Sequence, residues 1–353
     1  RWKTPLPTLP TAPGRSRSIG GSTVKKIINA IPDIVTEMLD GVVAAHPETL
    51  RRLEGWNVIV RREIRPGKVT LLSGGGSGHE PAQAGYVGKG MLDAAVAGEI
   101  FTSPAPDPIK AALDAIRTDA GTLMIVTNYS GDLMNFEMAA ELAEMDGIRT
   151  RSVIVNDDAA VMNSTYTTGR RGVAGTILVH KIAGALAERG ADLDAVAAVA
   201  QKTVDNTRSM GLALFPCTVP ANGRPGFDLG DGEIEFGLGI HGEPGVRRMG
   251  IDCADSMAKR LCSALFDDLP FKRGDRVAVL INGLGGTPLM ELYILNRSVA
   301  ALCRGQRLTI AKTYVGNFMT SLEMAGASVT LLRLDDELEA LLLDPADAPA
   351  FRQ

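Results

Sequence analysis

Apolar positions along this chain alternate between helical spacing and short unbroken runs. Residues 1–23 stand apart: prolines crowd in with Ser, Gly and Thr, and no apolar period is visible. They read as a disordered extension or an added remnant and carry no fold information. From residue 24 the pattern becomes regular. A short apolar start at 24–28 precedes Ile34, Val35, Met38, Leu39 and Val42, which mark one helical face over 31–45. Runs at 68–72, 121–126 and 150–155 predict strands, the first entering glycines and the second ending at Asn128-Tyr129. Residues 109–116, 134–145 and 173–189 predict helices, the last ending at Gly190.

A predicted helix over 193–210 bridges to the second half, which opens with a polar, turn-rich stretch at 218–232. There follow a helix at 254–265, a strand at 276–281 and a helix at 289–303. Strands at 309–313 and 329–332 come last, with a helix at 320–324 between them. Strands separated by helices of this length imply βαβ units. The fold class expected is α/β: two α/β domains, 24–205 and 206–353, with largely parallel or mixed sheets flanked by helices. A length of 353 residues agrees, being too long for one ordinary core.

Composition narrows the classes. With 45% hydrophobic and 22% charged residues the chain is ordinary globular protein. A formal charge of −4 gives no pull toward nucleic acid or an anionic membrane. The pairs Arg170-Arg171 and Arg247-Arg248 are isolated and read as solvated faces or loop ends. Cys217, Cys253, Cys262 and Cys303 form no C-x-x-C, so reduced buried thiols in a cytoplasmic protein are expected, with no metal site and no disulfide framework. No apolar run reaches the length of a membrane span.

Chemistry concentrates in three strings. The first is Gly74-Gly75-Gly76-Ser77-Gly78-His79-Glu80-Pro81, at the end of a predicted strand. It matches neither G-x-x-x-x-G-K-[ST] nor G-x-G-x-x-G, so a nucleotide cradle is not indicated. An imidazole at the end of a parallel strand stands where open α/β sheets place ligands, although a structural loop His has the same spacing. In the second string, Asn128 to Phe136, Asp132 either caps the helix expected at 134 or faces the cleft as a base. In the third, glycines bracket His241 between Gly237 and Gly245. A neutral imidazole there can add to a carbonyl carbon, or it can hydrogen-bond Glu243. Glu99 either lines the cleft or caps the helix after Pro108, while His46 and His180 fall on predicted helices as surface or structural residues.

These strings, with Gly98 to Pro104, Tyr166 to Val173, Leu284 to Tyr293 and Thr320-Ser321-Leu322-Glu323-Met324, resemble the substrate-binding K subunit of the dihydroxyacetone kinases. The resemblance runs over nearly the whole chain from residue 24. It implies that His241 forms a covalent hemiaminal with the ketone, excluding glycerol. It implies that His79 and Asp132 are the acid/base residues and that Gly76, Ser77 and Gly78 form the substrate loop. No cofactor is then expected on this chain: ADP or ATP with magnesium belongs to a separate helical L subunit, recharged in bacteria by a phosphotransferase-system protein. The resemblance also implies a homodimer. A ketone-sensing regulatory paralogue that binds through His241 without turnover is the alternative. Thr127 departs from the pattern, standing where the family usually has a lysine. The lost ammonium leaves a shorter neutral hydroxyl and room for a four-carbon ketose such as erythrulose. Gly283 is a milder departure, where the family often has asparagine.

Overall fold

The computed structural model describes residues 24–160, 169–242 and 245–353. The first sheet contains β1 (Leu50–Arg52), β2 (Val58–Arg61), β3 (Thr70–Ser77), β4 (Ala94–Ile100), β5 (Thr122–Thr127) and β6 (Thr150–Val155). Its spatial order is β1-β2-β4-β3-β5-β6. β4, β3, β5 and β6 run parallel, with β1 and β2 antiparallel at one edge. The second sheet contains β7 (Thr207–Phe215), β8 (Glu233–Phe236), β9 (Arg247–Gly250), β10 (Arg276–Gly283), β11 (Thr309–Gly316) and β12 (Ala325–Leu334), ordered β11-β10-β12-β7-β8-β9. Here only β10 and β11 are parallel. Both sheets are therefore mixed, within the α/β class expected.

The helices are α1 (Ile34–Ala45), α2 (Pro106–Ala115), α3 (Ser130–Met145), α4 (Thr176–Glu188), α5 (Leu193–Asp205), α6 (Ala254–Asp268), α7 (Leu289–Gly305) and α8 (Asp336–Leu342). Period-two alternation assigns the layers. On β5, Leu123 and Ile125 face the central core with α4, whereas Met124 and Val126 face α2 and α3. On β10, Ala278 and Leu280 join that same central core, and Val277, Val279 and Ile281 pack on α6 and α7. α4 thus lies between the sheets, buried along nearly its whole length. Strands covered on both faces read as unbroken apolar runs, which is why they stand out in the sequence.

Several expectations are corrected. The helix predicted over 193–210 stops at Asp205, and Thr207 to Met210 belong to β7 in the second sheet. Residues 320–324 form a turn with a bridge from Met324 to Gly285, and no helix. Arg171 is buried to 2% exposure and paired with Asp158, so it is no solvated face. Cys253 is exposed, unlike the other three thiols. Of the two readings open for His180, surface or structural, the second holds, since it is fully buried on α4. Glu99 is exposed on β4, neither lining the cleft nor capping α2, which begins at Pro106. The segment 1–23, Glu243 and residues 166–168 of the string Tyr166 to Val173 lie outside the described residues. No helix among those described is long and apolar enough to cross a membrane.

One buried charge cluster sets the register of β3 against β4 from the end opposite the glycines. Asp93 accepts from Lys68 Nζ at 2.5 Å, the Leu71 amide at 2.9 Å and Arg61 Nη1 at 2.9 Å. Lys68 and Asp93 are both inaccessible to solvent, so removing one partner strands the other. Asp93→Ala is expected to lower stability by about 3–5 kcal/mol, measured by urea unfolding.

Candidate active site

β3 continues through Ser77, past the end at 72 that the apolar run predicts. Glycine permits this because neighbours crowd the strand. A Cβ on Gly74 would stand 2.7 Å from the Val96 carbonyl oxygen, and one on Gly76 would stand 2.6 Å from the Thr102 nitrogen. The strand then turns at Gly78, whose φ is +98°, and delivers His79 at the C-terminal edge of the sheet.

The turn at 320–322 grips this loop. The amides of Thr320 and Leu322 donate to the carbonyls of His79 and Gly78, at 3.1 and 2.7 Å. Thr320 Oγ1 donates to the Glu80 carbonyl at 2.8 Å. His79 Nδ1 lies 2.7 Å from the Thr320 carbonyl oxygen. A carbonyl only accepts, so Nδ1 carries the proton and Nε2 presents its lone pair. Burial, then the nearby His241, push the His79 pKa down to about 3 against the opposing Thr320 bond. At neutral pH this imidazole is neutral and able to accept a proton.

Asp132 sits in the first turn of α3. The helix starts at Ser130 with Tyr129 as its N-cap, so Asp132 makes no cap. Its Oδ2 accepts from Thr127 Oγ1 at 3.0 Å. Burial raises its pKa, opposed by hydrogen bonds from Ser103 and Thr127 and by His241. His241 arrives from the second sheet on a turn whose Gly237 and Gly242 have φ of +73° and +78°. Its ring centroid is 4.7 Å from that of His79, edge-on, and 4.6 Å from that of Tyr129. Phe101, itself at φ +55°, stacks on His79 at 4.9 Å and meets His241 at 5.5 Å.

His79, Thr127, Asp132 and His241 thus line one cavity with Gly74, Gly75, Gly76, Gln83, Tyr129 and Met319. Its volume is about 20 Å³, room for roughly one water. Ser77 and Gly78 lie outside this lining. Ser77 Oγ donates to the Gly98 carbonyl at 2.7 Å, and the Gly78 amide donates to the Glu80 carboxylate. Among the described residues, His79 Nε2, Asp132 Oδ1 and Gln83 Oε1 are buried without a hydrogen-bond partner. Three such acceptors at one cavity match a ligand rich in hydroxyl groups. Sequence reasoning missed Gln83, which no motif marks, and gave Phe101 and Thr320 no individual role. The bracketing glycines were a signal for His241, whereas Gln83 offered none beyond lying four residues after His79.

The chain matches the Dak1 domain family over residues 40–350. It is 53% identical over 314 residues to the PTS-dependent dihydroxyacetone kinase 1, dihydroxyacetone-binding subunit DhaK, of Listeria innocua, covering 89% of this chain and 95% of that one. It is similar to the dihydroxyacetone kinase of C. freundii in complex with AMP-PNP and Mg2+, with TM-score 0.85 and 37% identity, over 94% of this chain and 61% of that longer one. It is also similar to the dihydroxyacetone kinase operon co-activator Dha-DhaQ, with TM-score 0.86 and 36% identity, over 90% and 98% of the two chains.

The depressed His79 pKa has a measurable consequence. Its folded value of about 3 lies below the unfolded value of 6.5, so between them the unfolded chain binds more protons. The stability contributed by neutral His79 is complete above pH 6.5 and is lost as pH falls toward 3. Imidazole NMR should show no titration of His79 between about pH 7 and about pH 5, with urea stability falling over the same interval. His79→Gln should lessen that fall, the remainder coming from His180, whose burial likewise pushes its pKa down to about 3.

Proposed function

Because the chain belongs to the Dak1 domain family, we propose that it is the ketone-binding catalytic subunit of a dihydroxyacetone-type kinase. The observation that carries this is the meeting of His241 with His79 and Asp132 at one cavity, with His79 Nε2 and Asp132 Oδ1 unpaired. The work divides between the two halves of the chain, read as domains 24–205 and 206–353. The first contributes the base and the second the anchor.

The unprotonated nitrogen of His241 attacks the ketone carbon. A C–N bond forms, the carbonyl π bond opens onto oxygen, and the ring's N–H proton is made up on that oxygen, leaving a neutral hemiaminal. The substrate is then held within reach of the base without many contacts, which matters for a small triose. A terminal hydroxyl of the bound ketose gives its one proton either to His79 Nε2 or to Asp132 as its oxygen takes the phosphoryl group. Tyr129 and Phe101 wall the His241 imidazole and exclude water.

Phosphoryl transfer of this kind needs a nucleotide with magnesium, and the glycine strand here is a poor cradle for one. Gly74 and Gly76 face backbone at under 3 Å. The relatives named as dihydroxyacetone-binding subunits support a donor held on a separate helical L subunit. The subunit works in the cytoplasm as a homodimer. Thr127, spent on Asp132, contributes a neutral wall, and the acceptor is a short ketose that includes the four-carbon erythrulose. A regulatory reading has one observation in its favour, the likeness to the Dha-DhaQ co-activator at TM-score 0.86. The presence of His79 and Asp132 with unpaired acceptor atoms favours turnover.

Incubation with dihydroxyacetone alone should add the mass of one substrate to the protein, and His241→Ala should add none. With the helical subunit present, His79→Ala should keep the mass gain and lose about 10²–10⁴ in kcat. A wild type that gains the substrate mass yet shows no turnover with the helical subunit present would favour the regulatory reading, and turnover unaffected by His79→Ala would remove His79 as the base. Erythrulose should match or exceed dihydroxyacetone in kcat/KM, with Thr127→Lys reversing the order. A strong wild-type preference for dihydroxyacetone removes the argument from Thr127.

A further inference from the structure

The second arginine of the Arg170-Arg171 pair reaches the turn that carries His241. Its side chain is 2% exposed and spans two groups. Nε donates to Asp158 Oδ2 at 2.6 Å, and Nη2 donates to the Gly237 carbonyl at 2.9 Å. Asp158 is itself held: Oδ1 accepts the Ala160 amide at 2.9 Å, and the Asp158 amide donates to the Arg171 carbonyl at 3.1 Å.

Gly237 is where the chain leaves β8 for the His241 turn. Its amide donates to the Gly211 carbonyl on β7 at 2.7 Å. With its carbonyl on Arg171, the peptides on both sides of Gly237 are fixed. The far arm is tied separately, by the Gly245 amide on Glu235 at 2.9 Å and the Val246 amide on the Phe236 carbonyl at 2.8 Å. Residues 238–242 between these ties carry the imidazole. Space around Gly237 is also closed, since a Cβ there would stand 2.8 Å from Val246 and 3.0 Å from Ala160.

We propose that Arg171 is a positioning residue for His241: the Asp158–Arg171 pair fixes the Gly237 carbonyl and with it the approach of the imidazole to the ketone carbon. The proposal rests on the reading of His241 as covalent anchor. Attack on a carbonyl tolerates little misplacement, and an error near 1 Å costs about 10²-fold. Lysine cannot replace the fork, because one ammonium on a flexible stem does not hold a carboxylate and a carbonyl in a fixed relation.

The test compares wild type, Arg171→Lys and Asp158→Asn, with folding checked by near-UV circular dichroism. In Arg171→Lys the rate of ketone mass gain should fall about 10–100-fold. KM for the ketone should rise while kcat at saturation changes little, because the adduct once formed faces an intact His79. Asp158→Asn, which keeps the arginine but loosens its anchor, should show a smaller rise in KM. Wild-type KM in both variants overturns the proposal. So does a fall in kcat at unchanged KM that tracks the folded fraction, the result of a purely structural role. If Arg171→Lys does not fold, Asp158→Asn alone decides by the same criteria. If wild type itself forms no adduct, the anchor reading has failed. Positioning is then read from carbethoxylation of His241 by diethyl pyrocarbonate, mapped by mass spectrometry. A rate changed several-fold in the variants upholds it, and an unchanged rate overturns it.

Discussion

The His79 Nδ1 proton goes to the Thr320 carbonyl over 2.7 Å, and that bond determines which nitrogen faces the cavity. In the other tautomer the Nδ1 lone pair would meet the carbonyl lone pair, and Nε2, carrying the proton, could not act as a base. The bond also joins the two sheets, because His79 follows β3 of the first and Thr320 lies between β11 and β12 of the second. The further bonds among 78–80 and 320–322 make this seam a rigid clamp. His241, contributed by the second sheet, can meet His79 repeatably only because the seam holds the sheets in register.

Burial does the electrostatic work. It keeps His79 neutral and raises the Asp132 pKa, both against hydrogen bonds that favour the charged forms. A neutral imidazole and a buried carboxylate beside a second imidazole are suited to moving one proton across a short distance. The Thr127 hydroxyl on Asp132 Oδ2 leaves Oδ1 as the atom available to a ligand. The aromatic ring of Phe101, pressed against Gly78, stacks on one face of His79. That closeness requires glycine at 78, since a Cβ there would stand 2.8 Å from the ring.

Much of this was legible in the residues themselves. The central strands of both sheets are covered on two faces, so Thr122 to Thr127 and Arg276 to Gly283 announce themselves as apolar runs. Amphipathic spacing found 31–45 and 289–303. The boundary between α5 and β7 was hidden because no glycine or proline breaks the chain between Asp205 and Met210, and only pairing with β12 makes 207–210 a strand. Ser321 to Met324 look helical by composition, yet their backbone bonds go to Gly78 before His79 and to Leu284 and Gly286. The two histidines were visible through their glycines. That they face each other depends on contacts between residues far apart in sequence, which no local pattern encodes. Gln83 and the burial of Arg171 were invisible for the same reason.

The central claim is a covalent bond between His241 and the ketone carbon, and carbon NMR reads it directly. With a ketose labelled with ¹³C at the carbonyl and protein labelled with ¹⁵N in histidine, binding should move the carbonyl resonance into the range of a tetrahedral carbon. That carbon should show one-bond coupling to a single imidazole nitrogen, assigned to His241 by its loss in His241→Ala. A saturated complex whose labelled carbon keeps its carbonyl shift and shows no such coupling would contradict the account.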